Sequence, residues 1–241
     1  YALTKTVILG NINLYKNHME FYYESELQQN NYNLMLNLVN KEINIFEVDD
    51  SGKINKQMND IIINLKSLFD FSQDNMYILD FLKMSYSLCN KLERTIIPLK
   101  ESKENTYSIY ENIESMKKNM ELFSHTRTEY IIMNEILNKF KEIIEGFNSQ
   151  NPKNEFLKQN YNNKKNYLLG IKNKSELNAV QIYFGKYPSC RFTTRMINKK
   201  NKIYNENNVI IPSYIDPSEL NLILGNNISK LNILVYGREK N

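Results

Sequence analysis

Residues 126–146 read TRTEYIIMNEILNKFKEIIEG, and this stretch decides the fold class. Its apolar side chains recur once per helical turn, while Glu135, Lys139 and Glu142 fall on the other side. The apolar face consists of Tyr130, Met133, Ile136, Leu137, Phe140 and Ile144. This period is typical of an amphipathic α-helix that buries one face.

The ends of this helix carry local signals of their own. Thr126 and Glu129 have the spacing of a capping box, in which the threonine hydroxyl accepts a hydrogen bond from the amide of Glu129. Glycine is favoured just after the last turn of a helix, and Gly146 stands at that place. The sequence therefore predicts a helix that begins near Thr126 and ends at Gly146.

Similar apolar stripes precede it in the chain. They run over residues 14–40, 58–69, 76–96 and 109–123. Pro98 is expected to interrupt the helix before it, because proline lacks an amide donor. Helices joined by short polar connections usually pack antiparallel. We therefore predict an antiparallel helical bundle.

Glycine and proline divide the chain into two parts. Of 7 Gly and 5 Pro, only Gly10, Gly52 and Pro98 precede position 146. Because these residues favour turns, shorter elements are expected after the bundle. The sequence predicts an α+β fold, mainly α, with a small C-terminal α/β domain. The predicted parts are an N-terminal segment of helix plus short strand (1–55), the bundle (56–147), a linker (148–165) and the α/β domain (166–241).

Strand signals follow from β-branched content or from alternation of apolar and polar residues. The predicted strands lie at 43–48, 167–171, 191–197, 209–211, 220–224 and 231–236. A short helix is predicted at 175–184, ended by Gly185.

Composition excludes several classes of protein. The 241 residues are 41% hydrophobic and 24% charged, which is typical of a globular chain. The net charge of +4 is dispersed, so no general attraction to nucleic acid or anionic membranes follows. No apolar run approaches the roughly 18 residues of a membrane-spanning helix.

The two cysteines, Cys89 and Cys190, are isolated from each other and from any metal-ligand pattern. This favours buried thiols and a reducing, cytoplasmic location.

No known catalytic pattern stands out. His18 and His125 are the only histidines, and neither has a Cys, Asp or Glu at convincing metal-ligand spacing. No phosphate loop, dinucleotide fingerprint, nucleophile elbow or zinc signature occurs. We therefore expect a non-enzymatic protein with no catalytic residue, no cofactor, no metal site and no small-molecule substrate.

One segment, residues 191–204, is strongly basic. It contains Arg191, Arg195, Lys199, Lys200 and Lys202, interleaved with Phe192 and Tyr204. Basic and aromatic side chains on a hairpin can neutralise phosphates and stack bases, so a nucleic-acid-binding module is an alternative function. A solvated lysine-rich hairpin explains the same pattern and is favoured over it.

Four fragments carry a resemblance to a known family. They are VILGNINLYKNHMEF at 7–21, NYLLGI at 166–171, SELNLIL at 218–224 and LNILVY at 231–236. In this order they resemble the opening segment, the first head strand and the last two head strands of TssK, the trimeric adaptor of bacterial type VI secretion baseplates. That family has a β-rich shell before its helical neck, and only residues 1–55 are available for it here.

The resemblance implies a mechanical role. The bundle would trimerise, the N-terminal segment would contact baseplate wedge proteins and the C-terminal part would dock to the membrane complex. The implied interaction residues are Leu14, His18, Phe21, Tyr22, Leu222, Leu224, Ile233, Val235 and Tyr236. The favoured expectation is thus a homo-oligomeric adaptor or scaffold in a multiprotein assembly.

A further alternative follows from the excess of Asn, Lys, Ile and Tyr, which is typical of an AT-rich genome. An extracellular helical ligand from an AT-rich parasite would pair Cys89 with Cys190. It would also carry glycans at the sequons that begin at Asn173 and Asn227.

Overall fold

A computed structural model describes residues 42–48, 52–72, 75–162, 167–172, 174–187, 192–197, 208–213 and 228–237. This part of the chain is mainly helical and contains a five-stranded parallel sheet. The helices are α1 (Lys53–Phe69), α2 (Met76–Arg94), α3 (Lys103–Met120), α4 (Thr128–Ser149), α5 (Pro152–Asn160) and α6 (Lys174–Gly185). A 3-10 turn at Leu99–Glu101 joins α2 to α3. The strands are β1 (Glu42–Glu47), β2 (Tyr167–Ile171), β3 (Phe192–Met196), β4 (Asn208–Ile211) and β5 (Lys230–Val235).

The helices α1 to α4 contact one another in a closed ring, in which α1 packs against α2 and α4, and α3 packs against α2 and α4. Each buries most of the apolar stripe that its sequence predicts, so the helical periodicity over 58–69, 76–96, 109–123 and 130–144 is confirmed, although Phe69, Met76 and Tyr86 of these stripes are exposed. On the outside of the ring, α1 and α4 are linked by hydrogen bonds and an ion pair. These join Gln57 to Glu142, Asp60 to Lys139 and Asn64 to Glu135. The antiparallel orientation stays a prediction.

The predicted ends of α4 are wrong. The helix begins at Thr128 with Arg127 at the N-cap, and no side chain caps it. The Thr126 hydroxyl instead lies 3.1 Å from the hydroxyl of Ser124. At the other end the helix continues through Gly146 to Ser149, because Phe147 is buried in the core and extends the apolar stripe.

The sheet has the strand order β1-β5-β4-β2-β3, and every neighbouring pair is parallel. Helix α6 connects β2 to its neighbour β3, as parallel pairing requires. The next strand, β4, lies on the other side of β2. At the far edge, β1 pairs with β5 in a register that begins at Glu42 and Lys230. A strand of the predicted N-terminal segment therefore belongs to the same sheet as the predicted C-terminal domain.

Successive side chains along the strands belong to two separate apolar clusters, one on each face of the sheet. Leu169, Ile210 and Leu234 pack in one core with the helices, while their neighbours Leu168 and Val209 lie in a second cluster on the other face. Continuous apolar runs of this kind are typical of parallel strands, which are covered on both faces. The core that contains the bundle thus continues into the sheet.

The segment predicted as a linker, 148–165, contains helix α5. Asn151 caps it by accepting hydrogen bonds from the amides of Lys153 and Asn154, and Pro152 occupies the first turn. Proline is well tolerated there because the first amides of a helix have no intrahelical acceptor. Leu157 is fully buried, so α5 packs into the core.

Other predictions are settled only in part. The strands at 43–48, 167–171, 191–197, 209–211 and 231–236 and the helix at 175–184 are confirmed to within one or two residues. The helix predicted at 14–40 and the strand predicted at 220–224 lie outside the described residues. None of the described helices is both long enough and apolar enough to cross a membrane.

Candidate functional site

A basic cavity of about 480 Å³ lies beside the carboxyl ends of β2 and β3. Its first wall is the end of α2, where Ser87, Asn90, Lys91 and Arg94 recur at helical spacing. Residues three, four and seven positions apart share one side of a helix. Leu88 and Leu92 point into the core, which directs the polar residues between them towards the cavity.

The second wall is the connection from β2 to α6. Lys172 directly follows β2, and Lys174 and Ser175 form the start of α6. In parallel sheets ligands bind outside the carboxyl ends of the strands, at the point where neighbouring connections run in opposite directions. The connections from β2 to β3 and from β4 to β5 run in opposite directions, so that point lies between β2 and β4. The cavity lies at the same edge of the sheet, beside β2 and β3.

Helix α3 supplies the third wall, with Asn105 and Ser108. Lys91 donates a hydrogen bond of 2.6 Å from Nζ to the hydroxyl of Ser108. The buried Asn105 amide donates to the Thr95 hydroxyl at 3.1 Å. These contacts connect α2 and α3 across the cavity and hold the ammonium group of Lys91 beside it.

Glu176, which follows the lining residue Ser175, connects the first two walls. This residue lies in the first turn of α6 and is fully buried. Its Oε1 accepts hydrogen bonds from the amides of Ile96 at 2.8 Å and Ile97 at 3.4 Å, just after the end of α2. Burial raises the pKa of Glu176 to about 7, although the two amides and the charge of Lys153 act in the opposite direction.

Lys153 makes a second buried connection. Its side chain is fully buried, and Nζ donates to the carbonyl of Glu93 at the end of α2 and to the carbonyl of Pro212, 2.8 Å away, just after β4. The ammonium group also lies 4.5 Å from the ring centre of Tyr236. A buried charge requires such partners, and these attach α5 to the end of α2 and to the carboxyl edge of the sheet.

The chemistry available in the cavity is anion binding. Lys91, Arg94, Lys172 and Lys174 are cationic, and none of the described lining residues is Asp or Glu. Lys174 and Ser175 lie at the start of α6, where the helix dipole favours negative charge. Within the described ranges no group of three or more His, Cys, Asp or Glu residues comes together to hold a metal ion.

A second depression has a different character. It is a groove of about 310 Å³ between α1, α4 and α5, with Ile54, Ile143 and Phe156 among its apolar lining residues. Its charged lining residues, Lys53, Glu142 and Glu155, include both signs. No charge of one sign is concentrated there, so the basic cavity is the stronger candidate for a ligand site.

Three of the residues predicted for protein interaction lie in the core. Ile233, Val235 and Tyr236 are no more than 4% exposed, so they cannot form a docking surface in this fold. They are buried because β5 is an interior strand of the sheet, covered on both faces. The other predicted interaction residues, Leu14, His18, Phe21, Tyr22, Leu222 and Leu224, are outside the described residues.

The basic segment 191–204 is described only in part. Arg195 is exposed on the edge strand β3, next to Met196, which lines the cavity. Among the described strands, β3 pairs only with β2 and in parallel, so its described partner is not the second arm of a hairpin. Arg191, Lys199, Lys200 and Lys202 lie outside the described residues.

Sequence reasoning missed the basic cavity. Two signals were present: the polar spacing of Ser87, Lys91 and Arg94 along α2, and the basic residues Lys172 and Lys174 directly after a buried strand. Each is common on protein surfaces, and only the packing of α2 against the start of α6 brings them together.

Comparisons with protein-family models, with curated proteins and with solved structures find no match to this chain.

Proposed function

We propose that this protein binds a phosphorylated ligand in the basic cavity at the carboxyl edge of its sheet. The observation that carries the proposal is the convergence of four basic side chains from two separate elements on one cavity. The volume of about 480 Å³ lies within the range of small-molecule sites, and the cavity lies at the carboxyl edge of the sheet, where parallel sheets bind ligands. The proposal departs from the sequence-based expectation that no small molecule is bound.

The wall formed by α2 supplies the direct test. Replacing Lys91→Gln and Arg94→Gln together removes two charges without changing the apolar side of α2. Each charge-assisted hydrogen bond to a phosphate is worth roughly 1.5–3 kcal/mol, so we expect the double variant to bind inorganic phosphate at least tenfold more weakly. Isothermal titration calorimetry at constant ionic strength measures the change.

The chain offers a matched control on α3. Lys117 and Lys118 are exposed basic residues in the last turn of that helix, away from the cavity lining. Lys117→Gln together with Lys118→Gln changes the net charge by the same amount, and its affinity for phosphate should stay within twofold of the original protein. Equal losses in both double variants, or no phosphate binding by the unaltered protein, would refute the proposal.

We further propose, as a second function, that the protein assembles with copies of itself as a scaffold. The supporting observation is a patch of exposed apolar side chains around the α1–α2 connection, defined by Phe69, Phe71, Met76 and Tyr77, which are 44–66% exposed. Such patches often mark interaction sites, and one patch on each copy suffices for a symmetric contact. The resemblance to TssK adaptors favours the same role.

The oligomeric state tests this second function. Native mass spectrometry and light scattering should find a dimer or larger oligomer, which Phe69→Ser with Phe71→Ser should convert to monomer. The exposed Tyr107→Ser and Tyr110→Ser on α3 serve as the control pair and should leave the mass unchanged. A monomer at all concentrations, or an oligomer that survives the Phe69 and Phe71 replacements, would exclude self-assembly through this patch.

A further inference from the structure

We infer that the ligand of the basic cavity carries two or more phosphate groups on a compact polar framework, bridging the α2 wall and the β2–α6 wall. The inference rests on the proposed function, because it names the ligand class of the same site. It follows from four properties of the cavity: its charge, the placement of its cations, its lining and the way its walls are fixed.

Charge is the first property. Lys91, Arg94 and Lys174 alone supply three positive charges, and Lys172 lies beside them. A phosphate monoester carries about −1.5 to −2 at pH 7. One phosphate group would leave part of this positive charge unbalanced, and no described lining residue is acidic. Two phosphate groups match the charge of the cavity.

The placement of the cations is the second property. Lys91 and Arg94 lie on α2, and Lys172 and Lys174 lie on the β2–α6 connection, so the positive charge is divided between two walls. A ligand with phosphate groups at two positions can place one group against each wall.

The lining indicates what joins the phosphates. Besides the cations, the lining contains hydroxyl and side-chain amide groups, from Ser87, Asn90, Ser108 and Ser175. The described lining contains no aromatic ring, and Met196 is its one large apolar side chain. Proteins usually hold a flipped or unpaired base by stacking it on aromatic side chains. The cavity is therefore suited to a polyol, sugar or inorganic polyphosphate rather than to a nucleobase.

The two walls are also held at a fixed separation. The Glu176 carboxylate in α6 accepts hydrogen bonds from the amides of Ile96 and Ile97, which follow α2, and these three residues are buried. A site whose walls are fixed before binding loses less conformational freedom when a bridging ligand enters. This arrangement favours one spacing between phosphate groups.

Calorimetry with orthophosphate, pyrophosphate, tripolyphosphate and adenosine monophosphate at matched ionic strength tests the inference. Pyrophosphate or tripolyphosphate should bind at least tenfold more tightly than orthophosphate, and adenosine monophosphate no more tightly than orthophosphate. Two double variants should each lose the preference, so that pyrophosphate binds no more tightly than orthophosphate to the same variant. They are Lys91→Gln with Arg94→Gln, and Lys172→Gln with Lys174→Gln. Lys117→Gln with Lys118→Gln should leave the preference unchanged.

The outcomes separate this inference from the function on which it rests. Orthophosphate that binds as tightly as the polyphosphates would refute the bridging ligand and leave phosphate binding in place. Adenosine monophosphate that matches pyrophosphate would likewise refute it. The absence of binding by all four probes would overturn the proposed function itself. Because the preference of the unaltered protein is measured first, the result does not depend on whether a variant folds.

Discussion

Glu176 is a buried carboxylic acid that holds two parts of the molecule together. Its two amide donors stabilise the charged form, and burial favours the neutral form. Burial has the larger effect, so the pKa is raised from 4.5 to about 7. Near neutral pH, Glu176 is therefore present in both protonation states, next in the chain to Ser175 of the basic cavity.

A dependence of stability on pH follows. As the pH rises, the unfolded chain loses this proton near pH 4.5, while the folded protein keeps it until about pH 7. The unfolded state thus binds fewer protons in that window, and the free energy of unfolding should fall by about 3 kcal/mol between pH 4.5 and 7. Urea unfolding measured across this range provides the curve.

The variant Glu176→Gln isolates this contribution. Glutamine keeps an oxygen acceptor for the amides of Ile96 and Ile97 but does not titrate. The difference in unfolding free energy between the original protein and the variant should change over the same pH window and be constant above it. A difference that is independent of pH would show that Glu176 has an ordinary pKa.

Single residues also mark where sequence reasoning fails. Lys153 lies in the predicted linker, and lysine is seldom fully buried without partners. Its partners are backbone carbonyls of Glu93 and Pro212, which no side-chain pattern encodes. The burial of Lys153 was therefore not predictable from the sequence.

At the scale of the element, β2 depends on a glycine. A Cβ at Gly170 would lie 1.9 Å from Cδ1 and 2.8 Å from Cγ1 of Ile197, which is buried in the second cluster. Gly170→Ala should therefore lower the free energy of unfolding by roughly 1–3 kcal/mol, because Ile197 must move within a packed core. Chemical denaturation measures the loss.

Gly146 provides the matched control within α4. Nothing lies within 4 Å of a Cβ at Gly146, so Gly146→Ala should stabilise the protein by roughly 0.5–1 kcal/mol, as alanine does inside a helix.

A double-mutant cycle tests the contact between Gly170 and Ile197 directly. In the background of Ile197→Ala, the change Gly170→Ala should cost much less stability than it does in the original protein. Strictly additive losses from the two changes would show that Gly170 and Ile197 do not compete for space.

Elements were predicted well where a repeated pattern defines them and poorly where one residue does. The apolar stripes of α1 to α4 extend over several turns, and tertiary packing follows them. The capping box depends on Thr126 and Glu129 alone and the stop on Gly146 alone, and local contacts override both. Helix α5 lies in the segment predicted as a linker, although Asn151 is a favourable N-cap and Pro152 is well tolerated in the first turn.

For the whole molecule, the sequence predicted most strands individually but not how they pair. Runs such as Leu168-Leu169 and 209–211 are apolar on both faces, and this feature already indicates a parallel sheet. The order of the strands has no comparable local signal. The candidate site depends on that order. The basic residues of the cavity could therefore be read in the sequence, but their proximity in the fold could not.

The pairing of β1 with β5 has a consequence for synthesis. Glu42 and Lys230 are 188 positions apart, yet they occupy matching places in the sheet. At the usual rate of about 5–20 residues per second, a ribosome takes roughly ten to forty seconds to produce the chain between them. During that interval β1 has no β5 to pair with, and the apolar side chains of Ile43 and Ile45 lack their native contacts. The nascent chain therefore exposes an aggregation-prone strand that chaperones can shield.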